Sequence, residues 1–301
     1  MKKLLQILLA LGASSFVLGA TDSTVDRLKA KALAGDATAQ VQLGILYDSG
    51  SQGVKQSYKE AAKWYALAAK AGEPHGQNNL GSLYLNGQGV RQDYAKALEL
   101  FHQAAEKNEA NAQCSLGLIY DNGFGIPKDP AQANAWYLKA AENENPMAMY
   151  NLGLSYTDGT GVTPDPIQAF HWFEKAAKLG WVNAQLKTGY CYYNGIGVVE
   201  NPTEGVVWYR KAAQQGDVPA IANLGLAYKD GKGVDKNLIQ AWAWLDIARF
   251  ATQRSNDMNT KWGIRGHLDE VTKQLSSTQL KEAKASSKQL WEELKSGLAK
   301  N

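Results

Sequence analysis

The sequence predicts an all-α solenoid, a stack of six helix pairs with a capping helix at each end, and three observations carry that prediction. First, Gly44, Gly81, Gly117, Gly153, Gly189 and Gly225 recur at a step of 37 and then steps of 36 residues, each within a string of roughly the form A-x-x-x-L-G-x-x-Y-x-x-G-x-G-V. A fixed period of this size marks stacked supersecondary units. Second, each period contains two apolar runs at helical spacing. Third, residues that start and stop helices separate those runs. Stacks of this kind bury a core between neighbours and present a long surface, so the period constrains architecture more than function.

Taken in order, Met1-Lys2-Lys3 precedes an apolar run from Leu4 to Leu11, and small residues lead to Leu18-Gly19-Ala20. That arrangement predicts a signal peptide over 1–20, cleaved after Ala20. The run is broken by Gln6, Gly12, Ser14 and Ser15 and is short for a membrane span, although an N-terminal anchor helix is the alternative. The expected destination is the periplasm or the exterior, with no stable membrane insertion once the segment is removed. Residues 21–35 carry Val25, Leu28, Ala32 and Leu33 at helical spacing and read as a short helix covering the first repeat.

Six repeats follow, over 36–72, 73–108, 109–144, 145–180, 181–216 and 217–250. The third illustrates them. Ala112, Leu116, Gly117 and Tyr120 define helix A, in which Gly117 costs about 1 kcal/mol relative to Ala and implies close approach of a neighbouring helix. Asp121-Asn122-Gly123-Phe124-Gly125-Ile126 forms a turn with two glycines suited to positive φ. Asp129-Pro130-Ala131-Gln132 then opens helix B, with Asp as N-cap, Pro at the first position and Gln placed to return a hydrogen bond to the cap. Ser57, Asp93, Asp165, Asn201 and Asn237 are the equivalent caps. Trp136, Tyr137, Ala140 and Ala141 supply the apolar face of helix B, and Gly72, Asn108, Gly180 and Gly216 terminate it elsewhere in the array. In the fifth repeat Thr188 replaces Leu and Gly205 replaces Ala, which predicts looser packing. Beyond the array, 251–301 reads as a helical cap, with Ser276-Ser277-Thr278-Gln279 starting a last helix whose outer face is charged. A partner-binding amphipathic helix is the other reading of that segment.

The 301 residues carry 32 Lys and Arg against 29 Asp and Glu, a formal net charge of +3 that is dispersed in sign. Clustered basic charge of the kind that binds nucleic acid is missing. Cys114 and Cys191 lie two repeats apart, roughly 20 Å at ordinary helix spacings, which excludes a bridge between them.

On Leu43-Gly44…Tyr47, Gly87-Gln88-Gly89-Val90…Asp93 and Asn134-Ala135-Trp136-Tyr137…Ala140-Ala141, the chain resembles Sel1-like repeats, the longer-looped relatives of tetratricopeptide repeats. The resemblance spans about Asp36 to Arg249 and implies a right-handed α/α superhelix that scaffolds protein complexes. For exported bacterial members it implies a role in the cell envelope or in host contact. It also brings an alternative, a binder or hydrolase of β-lactams or cell-wall fragments, linked to a cysteine-rich branch whose cysteines this chain lacks.

Catalytic machinery is not expected. His75, His102, His171 and His267 occupy unrelated repeat positions without metal-ligand spacing. The motifs G-x-S-x-G, S-x-x-K and the phosphate-binding G-x-x-x-x-G-K-S/T do not occur. No catalytic residue, cofactor or metal is therefore assigned. In superhelices of the tetratricopeptide kind helix A lines the concave groove, which directs attention to the row two residues before each repeat glycine: Gln42, Asn79, Ser115, Asn151, Lys187 and Asn223. Amides both donate and accept, so they suit the backbone of an extended peptide. A second row, Ile45, Ser82, Leu118, Leu154, Tyr190 and Leu226, would add apolar contact, with Tyr150 and Tyr193 as anchors. The expected partner is a protein or peptide bound by a monomer, and the competing reading is that the polar row only solvates the groove.

Overall fold

A computed structural model describes residues 22–252 and 258–298, so the expected signal peptide over 1–20 lies outside the described residues. Among them are fifteen helices and no strand. They are α1 (Asp22–Leu33), α2 (Ala37–Ser49), α3 (Tyr58–Lys70), α4 (Pro74–Asn86), α5 (Tyr94–Ala105), α6 (Ala110–Asn122), α7 (Pro130–Glu142) and α8 (Pro146–Asp158), then α9 (Pro166–Lys178), α10 (Val182–Asn194), α11 (Pro202–Gln214), α12 (Val218–Asp230), α13 (Leu238–Ala251), α14 (Met258–Gln274) and α15 (Ser277–Leu298). The even-numbered helices from α2 to α12 are the A helices and the odd-numbered ones from α3 to α13 the B helices. Two compact units divide the chain: one runs up to Met149 and includes Thr160–Val162, the other comprises Tyr150–Gly159 and everything from Thr163.

Each B helix is opened by the cap expected for it. Ser57, Asp93, Asp129, Asp165, Asn201 and Asn237 accept hydrogen bonds from backbone amides in the first turn, and each cap is worth about 1 kcal/mol. The return half of the capping box is absent from them, because the cap's own N–H is already used. It donates to a tyrosine carbonyl at the end of the preceding A helix, as in Asp129 to Tyr120 at 2.9 Å and Asn237 to Tyr228 at 2.9 Å. That bond closes every loop of the array. Gly123 and Gly125 take φ of +72° and +74°, and a Cβ on Gly125 would lie 2.5 Å from Tyr94 Cβ of the previous repeat. The reciprocal box does form at α15, where Ser276 and Gln279 bond each other's backbone amides at 3.2 and 3.0 Å.

In the first five repeats the repeat glycine seats an aromatic ring, and in the sixth a leucine. A Cβ on Gly81 would meet Phe101 at 3.0 Å, one on Gly189 would meet Tyr209 at 2.7 Å, and Gly225 faces Leu245 at 2.7 Å. Tyr65, Phe101, Tyr137 and Tyr209 are each no more than 2% exposed, and truncating such a ring to Ala costs ~3–5 kcal/mol. The fifth repeat is not looser there. Gly205 lets α11 approach α10 backbone to backbone, so that a Cβ on Gly205 would sit 2.9 Å from the Gly189 carbonyl oxygen.

Glutamines stitch neighbouring pairs. Gln40, Gln113 and Gln185 each donate to a carbonyl eight residues earlier, on Ala32, Ala105 and Ala177. Carbonyls in the last turn of a helix lack partners within it, and these side chains supply them. In the second unit, Ile264 of α14 and Leu294 of α15 pack with Tyr209, Leu224, Trp244 and Ile247. Trp242 Nε1 donates to Thr272 Oγ1 at 2.8 Å and Ser287 Oγ to Asp246 at 2.9 Å, so both C-terminal helices are tied to α13.

Candidate functional site

In the first unit, α2 and α4 place Gln42 and Asn79, one from each of two successive repeats, on the wall of a single cavity of about 280 Å³. Ile45 and Val41 of α2 form its apolar side. Glu73, His75, Asn78 and Asn111 form its polar side. The acidic corner follows from helix capping. Glu73 is the N-cap of α4 and accepts from the Gly76 amide at 2.7 Å, and Glu109 caps α6 through the Ala112 amide. Carboxylates at these positions satisfy free amides and oppose the helix dipole.

Glu109 is buried yet partnered on both oxygens. Asn111 Nδ2 donates to its Oε1 at 3.1 Å, and His75 Nδ1 lies 3.4 Å from the same oxygen. The hydrogen bond to Glu109 raises the His75 pKa above its ordinary value against the opposing effect of burial. Asn111 Oδ1 in turn accepts from Asn145 Nδ2 at 3.0 Å.

Asn79 is held on one side, its Oδ1 accepting from Asn78 Nδ2 at 3.1 Å, and the Tyr65 hydroxyl donates to Asp48 at 3.2 Å. Burial pushes Asp48 upward against the Tyr65 hydrogen bond, and burial together with Asp48 pushes the Tyr65 hydroxyl far above its usual range. The expected amide contact at Asn79 is thus structural on its inner side. Gln42 is exposed. Ser115 is a correction to the expected row: it is 2% exposed, its hydroxymethyl being too short to emerge, and offers no surface to a partner. Ser82 of the second row is likewise buried and bonds back to the Asn78 carbonyl.

The second unit carries Asn151, Lys187 and Asn223, all half-buried, and the Asn151 Nδ2 has no hydrogen-bond partner. Tyr190 is 49% exposed. Tyr150 tilts against Phe173 with centroids 5.6 Å apart, and Tyr193 packs on Tyr209 at 5.7 Å with Lys232 Nζ 4.6 Å from its ring centre. Burial and the nearby Asp217 carboxylate raise the Tyr150 hydroxyl. Leu226 packs with the cluster of Trp242, Leu245 and Leu268.

Neither cysteine is disulfide-bonded, and both are buried. Burial pushes the Cys191 thiol up to about 11, against Lys187, and raises Cys114 further. No group of three or more His, Cys, Asp or Glu suited to a metal gathers among the described residues. No helix among them is long and apolar enough to cross a membrane.

Comparison with protein families matches the Sel1 repeat six times, over residues 37–73, 74–109, 110–145, 146–181, 182–217 and 218–248. Among solved structures, a Sel1 repeat protein from Oxalobacter formigenes is 32% identical, covering 71% of this chain and 85% of that one, with a TM-score of 0.61. The c5321 protein, a protective antigen of uropathogenic Escherichia coli with an SLR fold, is 23% identical over 92% of this chain and 96% of its own, with a TM-score of 0.47. Cysteine-rich protein B of Helicobacter pylori is 28% identical over 44% of this chain and 96% of its own, with a TM-score of 0.37. A comparison with curated proteins found no match.

Proposed function

Because the chain belongs to the Sel1 repeat family, a family of protein-interaction scaffolds, we propose that it is a non-enzymatic adaptor that holds an extended segment of a partner protein along its A helices. The supporting observation is the cavity in which Gln42, Ile45 and Asn79, from two successive repeats, share one wall. A side chain of the segment enters there while Gln42 meets its backbone, and Asn151, Lys187, Asn223 and Tyr190 are the corresponding contact positions of the second unit. The basic and apolar N-terminus supports export to the periplasm or beyond.

The test is affinity capture from envelope extract by the mature chain and by two double variants, Gln42→Ala with Ile45→Ala and Asn151→Ala with Asn223→Ala. The expected result is about a tenfold loss of one specific partner with Tm unchanged to within about 2 °C. A collapse of Tm assigns these residues to the fold. A partner retained equally by both variants places the binding face elsewhere.

A further inference from the structure

We propose that His75, Glu109, Asn111 and Asn145 form a pH-sensitive clasp that couples an exposed imidazole to the N-caps of two successive A helices. The carrying observation is one unbroken chain of polar contacts across three repeats. His75 Nδ1 lies 3.4 Å from Glu109 Oε1, which also accepts from Asn111 Nδ2 at 3.1 Å. Asn111 Oδ1 accepts from Asn145 Nδ2 at 3.0 Å, and Asn145 Oδ1 accepts from the Ala148 amide at 2.9 Å. Glu109 Oε2 takes the Ala112 amide. The chain begins on α4 and ends at the caps of α6 and α8.

Each amide in it is oriented by its neighbour. An ionised carboxylate accepts and cannot donate, so Glu109 fixes which end of Asn111 faces it. Asn111 then offers its oxygen to Asn145, which turns its own oxygen to Ala148. One charge sets the sense of the whole chain, and hydrogen bonds linked in this way polarise one another. Glu109 and Asn145 are 6% and 4% exposed, whereas the His75 side chain is 62% exposed. Solvent protons reach only the histidine end.

An imidazolium donates a charge-assisted bond, roughly twice as strong as a neutral one. The charges that draw a proton to His75 are the carboxylates of Glu109 and of Glu73, the cap of its own helix. On this face α2 presents Thr38, Val41, Gln42 and Ile45, none of them charged. Lys107, just beyond α5, donates to the Gly72 carbonyl. The Cys114 thiol is held neutral by burial, with Glu109 adding to the effect. Protonation of His75 therefore tightens the clasp on Glu109, and deprotonation removes the one cationic partner of that carboxylate. The second unit lacks the parts. Trp181 and Pro219 stand where the chain would need a cap acceptor and an amide, and Trp181 makes no side-chain cap bond.

The experiment follows the ¹⁵N-labelled full chain by NMR from about pH 5 to about pH 8, reading the His75 ring and the side-chain amides of Asn111 and Asn145. Both amides should shift with the midpoint of His75. Hydrogen exchange at the Ala112 and Ala148 amides, corrected for its intrinsic pH dependence, should quicken about two- to threefold above that midpoint. His75→Asn should abolish all of these responses. Asn111→Ala leaves His75 beside Glu109 and should abolish the response at Asn145 and Ala148 while sparing the one at Ala112. A His75 titration that leaves both amides unmoved overturns the clasp, and the wild-type chain alone decides this. A response at Asn145 that survives Asn111→Ala also overturns it.

Discussion

In the first unit the positions around the repeat glycine are furnished with amides, aliphatic side chains and two capping glutamates, and Asn79 accepts a hydrogen bond from Asn78. In the second unit the same positions carry Lys187 and Tyr190 beside Asn151 and Asn223. The two regions share their caps, loop closures and glycine seats. They differ at residues that point away from those contacts. Repetition in this chain preserves what stacks the helices, and the binding chemistry lies in what varies between copies.

The sharpest way to break that comparison is to attack the shared part. A Cβ at Gly117 would overlap the Cδ1–Cε1 edge of the Tyr137 ring, and one at Gly153 the same edge of the Phe173 ring. Each Gly→Ala should cost ~1–3 kcal/mol through overpacking even after the gain of about 1 kcal/mol in helix propensity. Urea denaturation measures both. Gly263→Ala, where a new Cβ meets nothing within 4 Å, should be neutral or stabilising. If Gly117 and Gly153 differed by more than their common cost, the claim of one scaffold under two surfaces would fail.

These shared contacts were largely legible in the sequence because they are local. A cap and its target lie three residues apart, and a terminating glycine announces its own φ. What escaped is what links separate repeats or competes for the same atom. The return hydrogen bond of the capping box looked available until the cap's N–H proved to be taken by a tyrosine carbonyl nine or ten residues earlier, as in Ser57 to Tyr47. Gln40, Gln113 and Gln185 repeat in register, and that register is the sequence signal of their helix-to-helix bonds. Gly205 read as a defect and proved to be a closer approach. At the site, the row position of Asn79 was visible, but its neighbour Asn78, which donates to it, occupies no repeating polar position. Ser115 shared the row and not the exposure.

A second, smaller test stays within the first unit. Tyr65→Phe removes the hydroxyl that donates to Asp48 and leaves a ring like Phe101, which sits on Gly81 of the same unit. The expected cost is about 1 kcal/mol. Its pH dependence has a definite sign. The Asp48 carboxyl is already raised by burial, and the Tyr65 hydrogen bond opposes that rise. Without it the folded-state pKa climbs further, which penalises the ionised form. The variant should therefore lose more stability at pH 7 than at pH 4. Equal loss at both pH values would mean that the hydroxyl does not support the carboxylate.

The weakest expected effect separates the two regions by their histidines. His75 in the first unit is raised above 6.5, chiefly by its hydrogen bond to Glu109 and against burial, with Glu109 and Glu73 adding attraction. His171 in the second is lowered, chiefly by burial and then by Lys175. A raised histidine contributes stability that is present below its unfolded pKa and lost as pH rises through the folded one. Tm should therefore fall slightly from pH 6 to pH 8, a modest change because the imidazole is largely solvated, and the fall should be absent in His75→Asn. A fall retained in that variant would place the responsible group elsewhere.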